Sequence, residues 1–268
     1  MRKTILITGS TDGIGLATAR EMISQGHRVL LHGRDAEKLE QVYGELTGQA
    51  GNALVERYLA DLSVMAEVEA LARAIAQQHT KLDVLINNAG VFRVAEPTSN
   101  DGLDVRFAVN TLAPYLLTQR LLPLLDASAR VINLSSAAQS PVDIEALAGR
   151  TQIADAFDVY AQSKLALTMW SFHLAQKLGR QGPAIIAVNP GSMLASKMVR
   201  EGFGVAGGDL AKGVDILGRA ALSDEFADAS GQYFDNDAGG FGNPHPDALS
   251  PQKCAAIVRA IETTQGDL

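Results

Sequence analysis

Tyr160 and Lys164 are the residues best suited to proton transfer, because they stand four positions apart in Tyr160-Ala161-Gln162-Ser163-Lys164. On a helix, that spacing places the phenol and the ammonium on one face. A free tyrosine has a pKa of about 10. An ammonium about 5 Å away contributes roughly 3 kcal/mol at an effective dielectric constant of about 20, which would bring that pKa down to about 8. The pair therefore predicts general acid–base chemistry near neutral pH.

A glycine-rich turn follows the first apolar run of the chain. Glycine permits positive φ and has no Cβ, while the helix that follows offers unpaired N–H groups and a partial positive charge. The Gly-x-x-x-Gly-x-Gly spacing therefore predicts a site for dinucleotide phosphates, unless the glycines only tighten a strand-to-helix connection. The expected contacts are Gly9, Ser10, Thr11, Asp12, Gly13, Ile14 and Gly15.

The choice of cofactor depends on two residues that follow the second apolar run. Arg34 could pair with a 2'-phosphate, which would select NADP(H), or it could be an ordinary surface charge. Asp35 could accept a hydrogen bond from a ribose 2'-hydroxyl, which would select NAD(H). Asp35 is also a natural N-cap for a helix that begins at Ala36. We favour NADP(H) and keep NAD(H) as the alternative.

Short apolar runs alternate with longer helical patterns along most of the chain. This rhythm predicts an α/β fold, a doubly wound and mostly parallel sheet with helices on both faces, in one domain over residues 1–268. The seven predicted strands are residues 4–8, 28–32, 54–59, 84–86, 131–134, 184–188 and 232–234. The predicted helices are residues 15–25, 36–46, 63–78, 103–125, 160–178 and 209–222.

Composition excludes several classes of function. The chain has 268 residues and a formal net charge of −7, which has the wrong sign for a general nucleic-acid binder. Its one cysteine, Cys254, excludes an internal disulfide. No apolar run approaches the roughly 20 residues that cross a bilayer, and the five histidines lack metal-ligand spacing. We therefore expect a cytoplasmic protein with no membrane span and no metal.

Several separately placed motifs together resemble the short-chain dehydrogenase/reductase family. The resemblance covers about residues 3–195, and it is closest to the NADP-linked retinol-dehydrogenase-like reductases. It implies a Rossmann fold that transfers a hydride between NADP(H) and a carbonyl or alcohol. The family motifs are residues 8–15, Asp61, Asn87-Asn88-Ala89-Gly90, Asn110, Ser136, residues 160–164 and Pro190-Gly191. The resemblance to the subgroup depends on His32-Gly33-Arg34-Asp35, the long segment before Tyr160, and Asn189-Pro190-Gly191.

The resemblance also implies catalytic roles. Tyr160 is the general acid in carbonyl reduction and the general base in alcohol oxidation, and Lys164 lowers its pKa and binds the nicotinamide ribose. Ser136 donates a hydrogen bond to the substrate oxygen, whereas strand alternation turns its neighbour Ser135 the other way. Asn110 holds a water molecule that links the lysine to solvent.

The remaining cofactor contacts are implied by the same resemblance. Asp61 accepts from the adenine amino group, although an aspartate at a strand end is otherwise most often a helix cap. The segment after the fourth strand supports the adenine ribose, and the segment after the sixth strand contacts the nicotinamide. The residues concerned are Asp61, Leu62, Asn88, Ala89, Gly90, Tyr160, Lys164, Pro190, Gly191 and Ser192.

The sequence departs from the family pattern in three places. Many members have a basic residue where this chain has Asp12, and a threonine where it has Ala195, so Ser192 or Ser196 would contact the carboxamide. Ser136 and Tyr160 are 24 residues apart, a longer interval than in many members, so the surplus must loop out beside the substrate site.

Residues 190–208 are predicted to form a mobile apolar lid through Met193, Leu194, Met198 and Phe203, or alternatively an ordinarily packed short helix. A lid of this kind predicts a lipophilic substrate. The helices at 103–125 and 160–178 could pair between subunits as a homo-oligomer, or their apolar stripes could be core. The alternative functions are an NAD-linked alcohol dehydrogenase and a non-catalytic dinucleotide sensor.

Overall fold

The structure, a computed structural model, describes residues 1–50, 54–192, 194–195 and 204–268. Its strands are β1 (Thr4–Ile7), β2 (Arg28–Gly33), β3 (Leu54–Leu59), β4 (Val84–Asn87), β5 (Arg130–Leu134), β6 (Ala184–Asn189), β7 (Tyr233–Asp235) and β8 (Gly240–Gly242). They form one eight-stranded sheet in the order β3-β2-β1-β4-β5-β6-β7-β8. All neighbours are parallel except β7 and β8. The predicted α/β Rossmann fold is therefore confirmed.

The helices of the described residues are α1 (Gly13–Ser24), α2 (Ala36–Gln49), α3 (Met65–Gln78), α4 (Val105–Phe107), α5 (Ala113–Leu121), α6 (Ile144–Leu147), α7 (Ala156–Leu178), α8 (Ala211–Leu222) and α9 (Pro251–Gly266). A π-helical turn, Ala108–Leu112, separates α4 from α5. None of these helices is long and apolar enough to cross a membrane.

Several elements differ from the sequence prediction, which also lacked α6 and α9. The strand count rises from seven to eight because β8 contains only Gly240, Phe241 and Gly242, too short a run to show alternation. The helix predicted over residues 103–125 is divided by the π-helical turn. Helix α7 begins at Ala156 rather than at Tyr160, because the Asp155 side chain accepts from the Phe157 N–H and caps it.

Apolar side chains fill one layer on each side of the sheet. Successive residues of β1 point to opposite layers: Leu6 packs with α3, α5 and α7, whereas Ile5 and Ile7 pack with α1 and α8. Because both faces of the sheet are covered, its central strands are continuously apolar, which made them visible in the sequence.

Helix α9 packs against the outer faces of α5 and α7. Ile257 and Ile261 enter the same apolar layer as α7. The Tyr115 hydroxyl donates to Glu262 at 2.7 Å, and the Gln265 side-chain amide donates to the Leu112 carbonyl at 2.9 Å. The apolar stripe of α7, which could have paired between subunits, is thus covered in part by the chain's own carboxyl-terminal helix.

Candidate active site

A cavity of about 830 Å³ opens at the carboxyl ends of the parallel strands. It lies at the switch point between β1 and β4, where the strand order reverses and where ligands bind in open α/β sheets. Its size is in the usual range for ligand pockets, roughly 300–1,000 Å³. It is lined by the glycine turn, the ends of β2 and β3, the segment after β4, and Tyr160, Lys164 and Pro190.

The glycine turn is packed too closely against the segment after β4 to admit side chains. Gly9 and Gly13 have φ angles of 63° and 53°, which favour glycine. A Cβ on Gly15 would lie 2.3 Å from the Gly9 carbonyl oxygen and 2.4 Å from Asn88 Nδ2. The Asn88 amide also donates to the Thr8 carbonyl at 2.8 Å. The turn therefore presents bare backbone and the N-terminus of α1 to the cavity, which fits a pyrophosphate.

Six of the seven residues predicted in this turn line the cavity, and Ser10 does not. The lining residues are Gly9, Thr11, Asp12, Gly13, Ile14 and Gly15. Ser10 is fully buried. Its hydroxyl accepts a hydrogen bond from the His32 backbone N–H at 2.8 Å. This hydroxyl therefore connects the turn to β2 and does not face the cavity.

Two basic side chains, Arg34 and Lys38, lie at the end of the cavity beside α2, together with the Asp35 carboxylate, which already accepts a backbone hydrogen bond. Arg34 is exposed and lines the cavity. Asp35 Oδ1 accepts from the Lys38 backbone N–H at 3.0 Å, so Asp35 serves as the N-cap of α2. Lys38 also lines the cavity, and its Nζ lies 2.6 Å from Asp12 Oδ2. Sequence reasoning missed Lys38, although its position four residues after Arg34 in the first turn of α2 was a usable signal.

The predicted adenine residues also reach the cavity. Asp61, Leu62, Asn88, Ala89 and Gly90 all line it. Asp61 Oδ1 accepts from both the backbone N–H and the hydroxyl of Ser63, each at 2.8 Å. This carboxylate thus serves the turn before α3 as well as facing the cavity, so both interpretations of Asp61 fit the geometry.

Tyr160 and Lys164 stand on one face of α7, as their spacing predicts. Lys164 Nζ lies 5.8 Å from the centre of the Tyr160 ring and donates to the Leu134 carbonyl at 2.7 Å. Burial lowers the pKa of Lys164 to about 8. Burial also raises the pKa of Tyr160, and a hydrogen bond with Ser136 opposes that rise. The sequence predicts a tyrosine pKa lowered by the lysine. In the structure, desolvation raises the tyrosine pKa against the opposing hydrogen bond from Ser136, so the phenol is protonated at neutral pH.

The two serines after β5 point in opposite directions. The Ser135 hydroxyl is buried and pairs with the Thr168 hydroxyl at 2.7 Å. The Ser136 side chain forms a hydrogen bond with Tyr160, and its hydroxyl also accepts one from the Ala138 backbone N–H at 3.1 Å. Strand alternation therefore brings Ser136, and not Ser135, to the tyrosine.

The long interval between Ser136 and Tyr160 is anchored to α7. The Asp143 backbone N–H donates to the Gln162 side-chain oxygen at 2.8 Å, and the Ser140 hydroxyl donates to Asp158 at 2.7 Å. Leu147, on α6, is fully buried in the core. The surplus residues thus form a packed segment beside the site.

Asn110 lies in the π-helical turn and joins two elements of the site. Its amide nitrogen donates to the Val91 carbonyl at 3.0 Å and to the Ser163 hydroxyl at 2.9 Å. Its oxygen accepts from the Val91 N–H at 2.8 Å. Asn110 therefore holds the segment after β4 against α7. Its expected part in a water chain stays a prediction.

The segment after β6 is held by a carboxylate that sequence reasoning missed. Asp237 accepts from the Ser192 hydroxyl at 2.6 Å, from the Ser192 N–H at 2.8 Å and from the Asn189 amide at 2.9 Å. Partial burial raises the pKa of Asp237, but these hydrogen bonds outweigh it and hold the pKa below its usual range. Pro190 lines the cavity. Both the backbone N–H and the hydroxyl of Ser192 donate their hydrogen bonds to Asp237.

Of the predicted lid residues, Leu194 is buried, and residues 194 and 208 form a short parallel bridge. Met193, Met198 and Phe203 lie outside the described residues, as does Ser196. The lid therefore stays a prediction. In the described part of the chain, no group of histidine, cysteine, aspartate or glutamate side chains could hold a metal ion.

An aromatic cluster stands beside Tyr160. The Phe92 ring lies 5.2 Å from the Tyr160 ring and 6.1 Å from the Phe157 ring, measured between centres. Phe92 is 4% exposed and lines the cavity, whereas Phe157 is 44% exposed. Phe92 follows the Asn87–Gly90 motif closely, but its approach to α7 depends on the tertiary fold.

Comparison with known proteins gives consistent matches. The family model described as short chain dehydrogenase matches residues 3–203. Retinol dehydrogenase 13 of Homo sapiens is 34% identical over 253 residues, which cover 87% of this chain and 76% of that protein. Polyprenol dehydrogenase of Homo sapiens is 34% identical over 202 residues, which cover 70% of this chain and 60% of that protein. Matched regions span from 58% to 77% of the related retinol dehydrogenases.

Among solved structures, the RhlG/NADP active-site complex of Pseudomonas aeruginosa superposes with a TM-score of 0.69 at 26% sequence identity. That alignment covers 88% of this chain and 95% of the other.

Proposed function

This chain belongs to the short-chain dehydrogenase family and is an oxidoreductase related to the retinol dehydrogenases, and we propose that it transfers a hydride between NADP(H) and a lipophilic carbonyl or alcohol. The observation that carries the proposal is the group of half-buried Ser136, half-buried Tyr160 and buried Lys164, of which the tyrosine and the lysine line a cavity whose glycine turn fits a pyrophosphate. A non-catalytic sensor would have no use for that group.

Each residue of the group has a distinct task in the reductive direction. Ser136 donates a hydrogen bond to the substrate carbonyl oxygen, which stabilises the negative charge that develops there. Tyr160 donates its phenolic proton to the same oxygen, and the raised pKa keeps that proton in place until the charge forms. Lys164 stabilises the phenolate that is left. When bound, NADPH supplies the hydride that reduces the carbonyl carbon and leaves as NADP⁺.

The cations at the far end of the cavity favour NADP(H) over NAD(H). Arg34 and Lys38 both line it, and they suit a 2'-phosphate. Asp35, the residue that would select NAD(H), is engaged as the cap of α2. The NADP complex of the similar Pseudomonas aeruginosa protein supports the same choice.

The apolar surroundings of Tyr160 support a lipophilic substrate. Phe92 lines the cavity as an apolar wall next to the phenol, and Phe157 packs behind it against the Phe92 ring with part of its surface open to solvent. Such a wall removes apolar substrate surface from water and contributes roughly 25 cal/mol per Å² buried. The names of the related retinol and polyprenol dehydrogenases point to substrates of the same character.

The test is NADPH oxidation with straight-chain aldehydes and ketones of increasing length, catalysed by wild type and by Tyr160→Phe. We expect kcat/KM to rise with chain length, and Tyr160→Phe to lower kcat by at least about 100-fold, the range for a lost general acid. NADPH affinity should stay unchanged.

Tyr43→Phe is the matched control, because Tyr43 lies on α2 against Arg57 and does not line the cavity. It should retain full activity. Full activity in Tyr160→Phe would contradict the mechanism, and equal affinity for NADH and NADPH would contradict the choice of cofactor.

A further inference from the structure

The imidazole of His32 lies at the end of β2, where it is 3% exposed and lines the cavity. From the sequence alone, this histidine is expected to be an ordinary core or surface residue. Both of its ring nitrogens are engaged. Nδ1 lies 3.0 Å from the Gly9 backbone nitrogen, and Nε2 lies 3.1 Å from the Ala60 carbonyl oxygen.

These two partners determine the tautomer of the ring. A backbone N–H can only donate, so Nδ1 must be the unprotonated acceptor for Gly9. A carbonyl can only accept, so Nε2 must carry the hydrogen that Ala60 receives. The ring is therefore neutral, and burial, which lowers the pKa of His32 to about 4, favours the same state. A protonated ring would have no acceptor for Gly9.

The ring joins three segments that line the cavity: the glycine turn, the end of β2 and the segment after β3. Gly9 opens the glycine turn in a left-handed conformation, and Ala60 directly precedes Asp61. His32 itself stands two positions before Arg34. Backbone hydrogen bonds support the same junction, from Ser10 N–H to the His32 carbonyl at 2.9 Å and from Ala60 N–H to the Gly33 carbonyl at 3.1 Å.

We propose that His32 is a positioning residue for the dinucleotide, holding the phosphate turn at a set distance from Arg34 and Asp61 through its hydrogen bond from Gly9. This inference rests on the proposed function, because it assumes that a dinucleotide occupies the cavity. His32 acts on cofactor affinity and leaves the chemistry at Tyr160 unchanged. Without the ring acceptor, the half-buried Gly9 N–H loses its protein partner and the turn relaxes.

Two amide variants separate the two hydrogen bonds. In His32→Asn, the side-chain oxygen lies near the position of Nδ1 and can still accept from Gly9. In His32→Gln, the side-chain nitrogen lies near the position of Nε2 and can still donate to Ala60. His32→Ala removes both. We expect NADPH affinity within about three-fold of wild type for Asn and about ten-fold weaker for Gln and Ala, the effect of one lost hydrogen bond to a half-buried donor.

A merely structural role would give a different pattern. In that case all three variants would lower Tm and active fraction together, with no separation of Asn from Gln. Two kinetic constants distinguish these roles: the KM for NADPH, and the kcat measured at saturating NADPH. We expect KM to rise for Gln and Ala while kcat stays within about two-fold.

His27→Ala is the matched control, because His27 lies at the amino end of β2, at the other end of the strand from His32. The Nδ1 atom of His27 also accepts a hydrogen bond from a backbone N–H, that of Lys3, at 3.2 Å. It should lower Tm without changing the KM for NADPH. An unchanged KM in His32→Gln, or an equal rise in KM for His27→Ala, would overturn the inference.

Nitrogen NMR of the wild-type histidines tests the same geometry without a substitution. We expect the Nε2–H tautomer of His32 at pH 6, both free and with NADPH. A protonated ring or the Nδ1–H tautomer would overturn the inference even if no His32 variant folds. If wild type itself fails to bind NADPH while the Nε2–H tautomer is present, the proposed function fails and the geometry of the ring stands.

Discussion

The Lys38 ammonium lies 2.6 Å from the Asp12 carboxylate and joins the glycine turn to α2 at the end of the cavity beside α2. Asp12 caps α1 by accepting from the Gly13 N–H at 2.7 Å, and Lys38 balances its charge. The pair also predicts how cofactor selectivity can be changed.

Replacing Asp12 with asparagine should improve NADPH binding. Asparagine caps helices about as well as aspartate, so α1 keeps its N-terminus. The substitution removes a negative charge beside the 2'-phosphate and releases Lys38 to bind it. We expect the Kd for NADPH to fall about three-fold and the Kd for NADH to change little, with the difference decreasing at high salt. Weaker NADPH binding would contradict this account of Asp12.

Replacing Lys38 with methionine should have the opposite effect. It removes a cation from the cavity and leaves the Asp12 charge unbalanced. The Kd for NADPH is expected to rise about ten-fold, as for a lost charge-assisted hydrogen bond, while the Kd for NADH should rise less than two-fold. Lys177→Met is the control, since Lys177 is exposed on α7 and does not line the cavity. Equal losses for both cofactors would show that Lys38 does not contact the 2'-phosphate.

The pH profile of reduction should follow Lys164, whose pKa burial lowers to about 8. Below that value the ammonium stabilises the Tyr160 phenolate, and above it the charge is lost. We therefore expect kcat/KM for carbonyl reduction to be level below about pH 8 and to fall as the pH rises further.

Stability measured over the same range is the control for that profile. The folded pKa of Lys164, about 8, lies below its ordinary value of 10.5. The unfolded state therefore binds more protons between these values, and the contribution of this group to stability increases with pH. Activity should thus fall without unfolding. A profile that stays level to pH 10 would contradict the role of Lys164.

Asp237→Asn tests the carboxylate that holds Ser192. An amide can accept fewer hydrogen bonds than a carboxylate and turns an N–H toward the Ser192 donors. We expect the free energy of unfolding to fall by about 1–3 kcal/mol and the KM for NADPH to rise several-fold. Asp228→Asn, at an exposed aspartate elsewhere in the carboxyl-terminal third, should change neither. Unchanged stability and kinetics in Asp237→Asn would show that this contact does not position the segment after β6.

Most of the sheet could be predicted because buried parallel strands are continuous apolar runs, and the long helices could be predicted because their caps and periodicity are local. The elements missed were short or atypical: β8 with its two glycines, α6 with four residues, and the break in the helix around Asn110. Helix α9 was missed although Ser250 caps it and Pro251 opens it, which are both local signals.

The amino-acid sequence predicted that Tyr160 and Lys164 share one helical face and that a glycine turn joins the first strand to the first helix, because both are local geometry. Ser136 was implied by the family resemblance, and alternation along one strand set Ser135 apart from it. Lys38 beside Asp12, Asp237 beside Ser192 and His32 between Gly9 and Ala60 became visible only in the folded chain. The order of the strands brings these distant segments to one edge of the sheet. The pKa of Tyr160 is likewise decided only in the folded chain. Desolvation of the phenol depends on all the groups that surround it and not on one neighbour a helical turn away.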